Sequence, residues 1–299
     1  MNLFYRSIIK VARHKMKPSD ETITKIPSSI LEVVDLAYRN DGDDAHLLDI
    51  YYPKEAVGLL PTIIDIHGGA WIYGNKEVNK KFALTLANEG FGVVNVNYTL
   101  MPNATLKQQV QEIFDILHFI YVHGSSYHLD CNQIILAGDS AGGHLAGLVY
   151  AIIHQEPLQK LYQVSVPPVT IRGLCLIHGV SDLSFLEKSK NIIYRRAGIM
   201  IQGNMENPLA WYRKACLLDV LDGCPSVNTL LISSEKDMLH FQSLQTSAAL
   251  KEAGWPVEIL FWHLQKELNH VFVVLHPEYD ESLQTIQKIT DFIVRCLVN

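Results

Sequence analysis

The sequence predicts an α/β fold built on a mostly parallel, eight-stranded sheet with helices on both faces. Three observations carry that expectation. Short apolar runs alternate along the chain with longer stretches of helical period, the order that produces parallel strands joined by crossover helices. The chain has 299 residues, 48% hydrophobic and 19% charged, which suits a single α/β domain with a large core. A Gly-Asp-Ser-Ala-Gly turn at 138–142 sits between an apolar run and a helix-forming run, the context of a sharp strand-to-helix elbow.

Taken in chain order, the N-terminus comes first. Arg6, Lys10, Arg13, Lys15 and Lys17 precede the first acid, Asp20, and are interleaved with Leu3, Phe4, Ile8, Ile9, Val11 and Ala12. No continuous apolar core or small-residue cleavage site follows, so the segment reads as a short amphipathic helix resting on the body rather than a targeting peptide. A membrane-surface role is the secondary reading. Leu31 to Tyr38 and Leu47 to Tyr52 read as an opening hairpin. The later strands are Thr62 to Ile66, Val93 to Asn97, Gln133 to Ala137, Arg172 to His178, Thr229 to Ser233 and Val257 to Trp262. Leu106, Val110, Ile113, Leu117 and Ile120 mark one helix face. Further helices follow Ser140, run from Phe241 to Ala253 before Gly254 and Pro256, and carry Leu283, Ile286, Ile289 and Ile293 at the end. Leu183 to about Trp211 breaks this rhythm, with Ile192-Ile193-Tyr194, Met200-Ile201 and Trp211-Tyr212, and reads as a lid, a pocket wall or a surface excursion.

Several function classes are set aside by composition. A net charge of -6 and the lack of a basic stripe with aromatics argue against nucleic acid. Cys131, Cys175, Cys216, Cys224 and Cys296 form no metal or CxxC spacing, and a reducing cytoplasm fits them best. No apolar run approaches the roughly 18 residues needed to span a bilayer. No metal and no cofactor are expected, and a homodimer is left open.

Buried parallel strands present functional residues at their carboxyl ends. Ser140, pushed out above the sheet by the 138–142 turn, is the candidate nucleophile. Side chains at Gly138 or Gly142 would clash in so tight a turn. The following helix aims free N–H groups at developing negative charge. His144 reads as a core histidine. After the third strand come His67-Gly68-Gly69-Ala70-Trp71. Acyl transfer passes through an oxyanion, and Gly68, Gly69 and Ala141 are the expected backbone donors to it. His67 is expected to brace this loop, and Trp71, Tyr73 and Tyr98 to wall the substrate pocket, with core packing the equal alternative for Trp71.

A serine hydroxyl needs a base, and in this architecture acid and histidine follow the serine in the chain. Asp237 follows the strand ending at Ser233, and His270 follows the strand ending at Trp262. Asp182, Glu235, His263 and His276 are the rivals. Asp182 falls one strand early, Glu235 is expected to face solvent, His263 lies too close to its strand, and His276 lies beyond the loop.

These residues resemble the α/β-hydrolase fold, and within it the hormone-sensitive-lipase-type and carbohydrate-esterase-like carboxylesterases. The resemblance covers about residues 31 to 298 and rests on the 67–71 and 138–144 motifs, on the Asp237 and Asn269-His270 neighbourhoods, and on Asn97-Tyr98-Thr99-Leu100-Met101-Pro102. In that last segment Thr99 stands where the family carries an arginine. The resemblance implies no cofactor, short acyl chains, and a small cap built from residues 1–30 and 183–212.

Three functions compete. The leading one is a serine carboxylesterase acting on small, acetyl-type esters through an acyl-enzyme on Ser140. The second uses the same triad on an amide, as an arylformamidase-like or peptidase-like hydrolase. The third is a ligand-binding protein on a hydrolase scaffold, which would be expected to lack a triad member.

Overall fold

The computed structural model describes residues 26–190, 192–202, 213–263 and 268–298. Its centre is one eight-stranded sheet in the order β1-β2-β4-β3-β5-β6-β7-β8. The strands are β1 (Ile30–Ala37), β2 (Leu47–Pro53), β3 (Leu60–Ile66), β4 (Gly92–Val96), β5 (Leu129–Asp139), β6 (Ile171–Ile177), β7 (Asn228–Ser234) and β8 (Val257–Trp262). β1 and β2 are the expected antiparallel hairpin, and β2 also runs antiparallel to β4. Every later pairing is parallel. This is the α/β-hydrolase arrangement. β5 begins earlier than its apolar run suggests, because Leu129 and Asp130 pair with Leu60 and Pro61 before the register shifts. The polar residues Asp130 and Asn132 hid that extension.

Ten α-helices are described: α1 (Lys76–Asn88), α2 (Leu106–His123), α3 (Ala141–His154), α4 (Glu156–Tyr162), α5 (Phe185–Lys188), α6 (Ile192–Gln202), α7 (Leu217–Val220), α8 (His240–Glu252), α9 (Phe272–Leu275) and α10 (Asp280–Val298). They bury the two faces of the sheet separately. Leu106, Val110, Ile113, Leu117 and Ile120 of α2 join Leu145, Leu148 and Val149 of α3 on one face. Phe82 and Leu86 of α1 join Ile286, Ile289, Phe292 and Ile293 of α10 on the other. Each such side chain contributes roughly 1.5–3 kcal/mol by leaving water. Leu283 departs from the expected stripe: it is 52% exposed, and Phe292 and Cys296 complete the buried face of α10 instead. Thr105 caps α2 through a reciprocal box with Gln108.

Glu112 of α2 accepts the Thr99 N–H at 2.6 Å through Oε2, while its Oε1 lies 3.4 Å from Arg39 Nη1 and 3.3 Å from His46 Nε2. A guanidinium from the β1–β2 connection thus reaches this carboxylate across the sheet edge.

A cap is expected from 1–30 and 183–212. Residues 1–25 and 203–212, with Trp211 and Tyr212, lie outside the described residues, and Ile30 already opens β1. Between them, α5 and α6 form a helical pair in which the Phe185 and Tyr194 rings lie 5.8 Å apart. Tyr194 Oη reaches Met238 Sδ at 3.1 Å, so α6 leans on the turn after β7. No helix among the described residues is long and apolar enough to cross a membrane.

Candidate active site

Ser140 follows β5 as the N-cap of α3, with φ 51 and ψ -112, a positive-φ conformation that costs a non-glycine residue about 1–3 kcal/mol. The elbow is held from three sides. Ser140 N–H donates to Ile177 O at 2.9 Å, and its carbonyl accepts the N–H groups of His144 at 3.2 Å and Val180 at 3.1 Å. A Cβ on Gly142 would collide with Ile66 O, so β3 and the first turn of α3 can touch only through glycine. Ser140 is left 7% exposed at the carboxyl end of the central strands.

The turns after β7 and β8 deliver the partners. His270 Nε2 lies 2.9 Å from Ser140 Oγ, and His270 Nδ1 lies 2.7 Å from Asp237 Oδ1. Asp237 is buried, and its Oδ1 also accepts the Leu239 N–H at 3.1 Å while Oδ2 accepts Ser233 Oγ–H at 3.2 Å. Burial alone would raise its pKa, but hydrogen bonds and charge from His178 and His270 outweigh it and hold the carboxyl below the usual range. His178 was not singled out in the sequence, although its Nδ1 sits 2.9 Å from Asp237 Oδ2. Its position at the carboxyl end of β6 was the available signal.

The rivals are placed elsewhere. Asp182 accepts Ser184 N–H and Oγ–H, both at 2.7 Å, within its own turn. Glu235, His263 and His276 are exposed. His144 is fully buried, its Nε2 2.8 Å from Ala215 O, and burial pulls it down to about 4. His67 is likewise pulled down to about 4 by burial; it stacks on Tyr98 at 4.4 Å and donates from Nδ1 to Gly68 O at 2.6 Å, bracing the loop.

The expected oxyanion donors need one correction. Gly68 N–H donates to Asp139 Oδ1 at 2.9 Å, so it ties the loop to the elbow and is not free for a ligand. Among the described residues the N–H groups of Gly69, Ala70 and Ala141 meet no protein acceptor. Gly69 has φ 117, and a side chain there would strike Tyr73 O. Behind this loop lies a buried carboxyl pair. Asn79 Nδ2 bridges Asp139 Oδ1 at 3.0 Å and Asp65 Oδ2 at 3.2 Å. Burial, then the nearby Asp139 charge, pushes Asp65 up to about 8; burial also raises Asp139 against the pull of Asn79 and Gly68.

A cavity of about 30 Å³ opens beside Ser140 and His270, lined by Gly69, Tyr73, Asn79, Val271 and Val274 among others. Of the three expected wall residues only Tyr73 lines it. Trp71 is 1% exposed and packs edge-on to His144 at 5.2 Å. Tyr98 is buried, donates to His67 O at 2.9 Å, and borders a separate cleft of about 480 Å³ with Asn75, Asn97 and Asn103. Burial behind the loop settles Trp71 on the core side of its two readings and moves Tyr98 from wall to core. Among the described residues one group is compact enough for a metal, His178, Asp237 and His270 with ligand atoms within 4.8 Å, but these atoms already face one another.

Comparison with known proteins follows from this geometry. Residues 48–252 match the family model described as BD-FAE. An esterase of Gibberella moniliformis is 36% identical over 118 residues, 38% of this chain and 36% of that protein. The kynurenine formamidase of Drosophila melanogaster is 23% identical over 248 residues, 81% of this chain and 76% of its own. Esterase B of Lactobacillus rhamnosis superposes with a TM-score of 0.85 at 27% identity, covering 98% of this chain and 91% of that one. The matched segment spans 35% and 25% of the length of the first two curated relatives.

Proposed function

The chain belongs to the BD-FAE family, and from that premise we propose that it is a serine carboxylesterase cleaving small, short-acyl esters through an acyl-enzyme on Ser140. The observation that carries this reading is the continuous line Ser140 Oγ, His270, Asp237, with contacts of 2.9 and 2.7 Å. In the proposed reaction His270 Nε2 takes the Ser140 proton as Oγ attacks the ester carbonyl carbon. Asp237 holds the Nδ1–H and stabilises the imidazolium. The N–H groups of Gly69, Ala70 and Ala141 take the oxyanion, while Gly68 keeps its bond to Asp139. The C–O bond then breaks and the departing alkoxide recovers the proton from His270. Water, deprotonated by the same nitrogen, attacks the acyl-enzyme and frees Ser140.

The cavity of about 30 Å³ supports a small acyl group. Esterase B of L. rhamnosis has a structure with a C4-C4 SN3 tributyrin phosphonate inhibitor, a short-acyl mimic on a related chain. The lean of α6 on Met238 supports a cap role for the segment from 183 onward. The five free cysteines fit a reducing compartment. The test is a p-nitrophenyl ester series from acetate to octanoate, with Ser140→Ala beside the wild type. Turnover is expected to fall beyond about six carbons, since a shallow pocket forfeits the roughly 0.8 kcal/mol each further buried methylene offers. Rates that climb steadily to octanoate contradict the small pocket. Ser140→Ala within tenfold of wild type contradicts the nucleophile.

A second reading has its own support: the Drosophila kynurenine formamidase aligns across most of the chain. The same triad would then cleave a formyl amide, the aniline nitrogen leaving with the proton from His270. Comparing kcat/KM on an N-formyl arylamine with that on p-nitrophenyl acetate separates the two, and a higher value on the amide would replace the ester reading.

A further inference from the structure

We propose that His178 is a positioning residue for the acid of the triad: its Nδ1 edge, set against Asp237 Oδ2, keeps the carboxylate from turning, so that Oδ1 stays aimed at His270. This rests on the serine-hydrolase reading above and deepens it. Asp237 is a buried carboxylate with two differently occupied oxygens. Oδ1 accepts from His270 Nδ1 at 2.7 Å and from Leu239 N–H at 3.1 Å. Among the described residues Oδ2 faces Ser233 Oγ at 3.2 Å and His178 Nδ1 at 2.9 Å. A carboxylate offers about four acceptor sites, and leaving one bare in a dry interior is costly. With His178 removed, Oδ2 keeps one neutral hydroxyl, and the carboxylate can turn to share Oδ1 less well with His270.

The ring is itself held in place. His178 has φ 50 at the carboxyl end of β6 and donates its backbone N–H to Ile232 O on β7 at 2.8 Å. A non-glycine residue keeps that conformation only where its surroundings over-determine it. The ring is fully buried and stands edge-on to His270 at 5.6 Å and to Phe272 at 5.6 Å. Burial, opposed by Asp237, lowers its pKa, so the ring stays neutral. Among the described residues neither ring nitrogen completes an aligned hydrogen bond; Nε2 has no acceptor near it, while Nδ1 lies 2.9 Å from Oδ2, off the donor line. A proton on Nε2 would leave a buried donor unpaired and turn a lone pair toward a carboxylate. A proton on Nδ1 turns the donor toward the charge.

Two measurements test this. In the wild type, imidazole nitrogen shifts from ¹⁵N-detected NMR at neutral pH should show His178 protonated on Nδ1 and bare on Nε2. The opposite tautomer, or a cation, overturns the proposal without reference to activity or to any variant's folding. In variants, His178→Leu should lower kcat by about 10- to 100-fold, the scale on which a group orienting a functional histidine acts, with KM within about threefold. His178→Asn should recover most of that loss, because its amide N–H falls where Nδ1 stood. His178→Leu within twofold of wild-type kcat overturns the proposal, as do equal losses in Leu and Asn. Stoichiometric labelling by diethyl p-nitrophenyl phosphate separates the two levels. A labelled wild type with unaffected variants removes only the role of His178, whereas a wild type that does not label removes the serine-hydrolase reading.

Discussion

Asp237→Asn keeps the size of the side chain but removes the charge that His270 needs when it becomes an imidazolium. Its amide can also turn a donor toward Nδ1 and trap the wrong tautomer. The change should lower kcat on p-nitrophenyl acetate by about 10⁴. Asp182→Asn should change it less than tenfold, since that carboxylate is spent on Ser184 within its own turn. A larger loss at Asp182 would contradict the assignment of the acid. At this scale the sequence shows which residues come together, Ser140, His270 and Asp237, because their types and their order after successive strands are readable. It does not show direction. Gly68 and Gly69 look alike in a His-Gly-Gly turn, yet the Gly68 amide faces Asp139. His178 escaped notice because its partner lies on another strand's loop, and only the parallel pairing of β6 with β7 brings them together.

The elbow between β5 and α3 is where element geometry meets catalysis. Gly142→Ala should yield little folded protein, because the new methyl group meets the β3 backbone and not a side chain that can move. Soluble yield and circular dichroism check this. The loop above β3 depends instead on the Asp139–Asn79–Asp65 chain. Asp65 is pushed up to about 8. Between the ordinary carboxylate range and that value the unfolded chain gives up a proton that the folded protein keeps, so stability falls as pH rises through this window. Asp65→Asn abolishes this dependence. Its Tm relative to wild type should therefore rise by several degrees from pH 5 to pH 9, and a flat difference would show that Asp65 ionises normally. Strand positions were legible because buried parallel strands are short apolar runs. The polar start of β5 and the outward Leu283 on α10 were not, since tertiary pairing and helix rotation decided them.

Across the whole molecule the sheet does one thing for function: it brings β3, β5, β6, β7 and β8 side by side, so five loops converge on one edge. That convergence follows from the strand order, which alternation of strands and helices implies only as a class. If proton transfer runs through Ser140, His270 and Asp237 alone, EDTA or 1,10-phenanthroline should leave turnover unchanged; a loss restored by zinc would reveal a missed site. The central claim is that Ser140 is the nucleophile, and covalent trapping tests it most directly. Wild-type protein is incubated with diethyl p-nitrophenyl phosphate, weighed intact and mapped by peptide mass, beside Ser140→Ala. The account predicts one diethylphosphoryl group per chain, on the peptide carrying Ser140, with esterase turnover lost in proportion and no adduct on the alanine variant. An adduct on another residue, or full turnover after Ser140 is blocked, would contradict it.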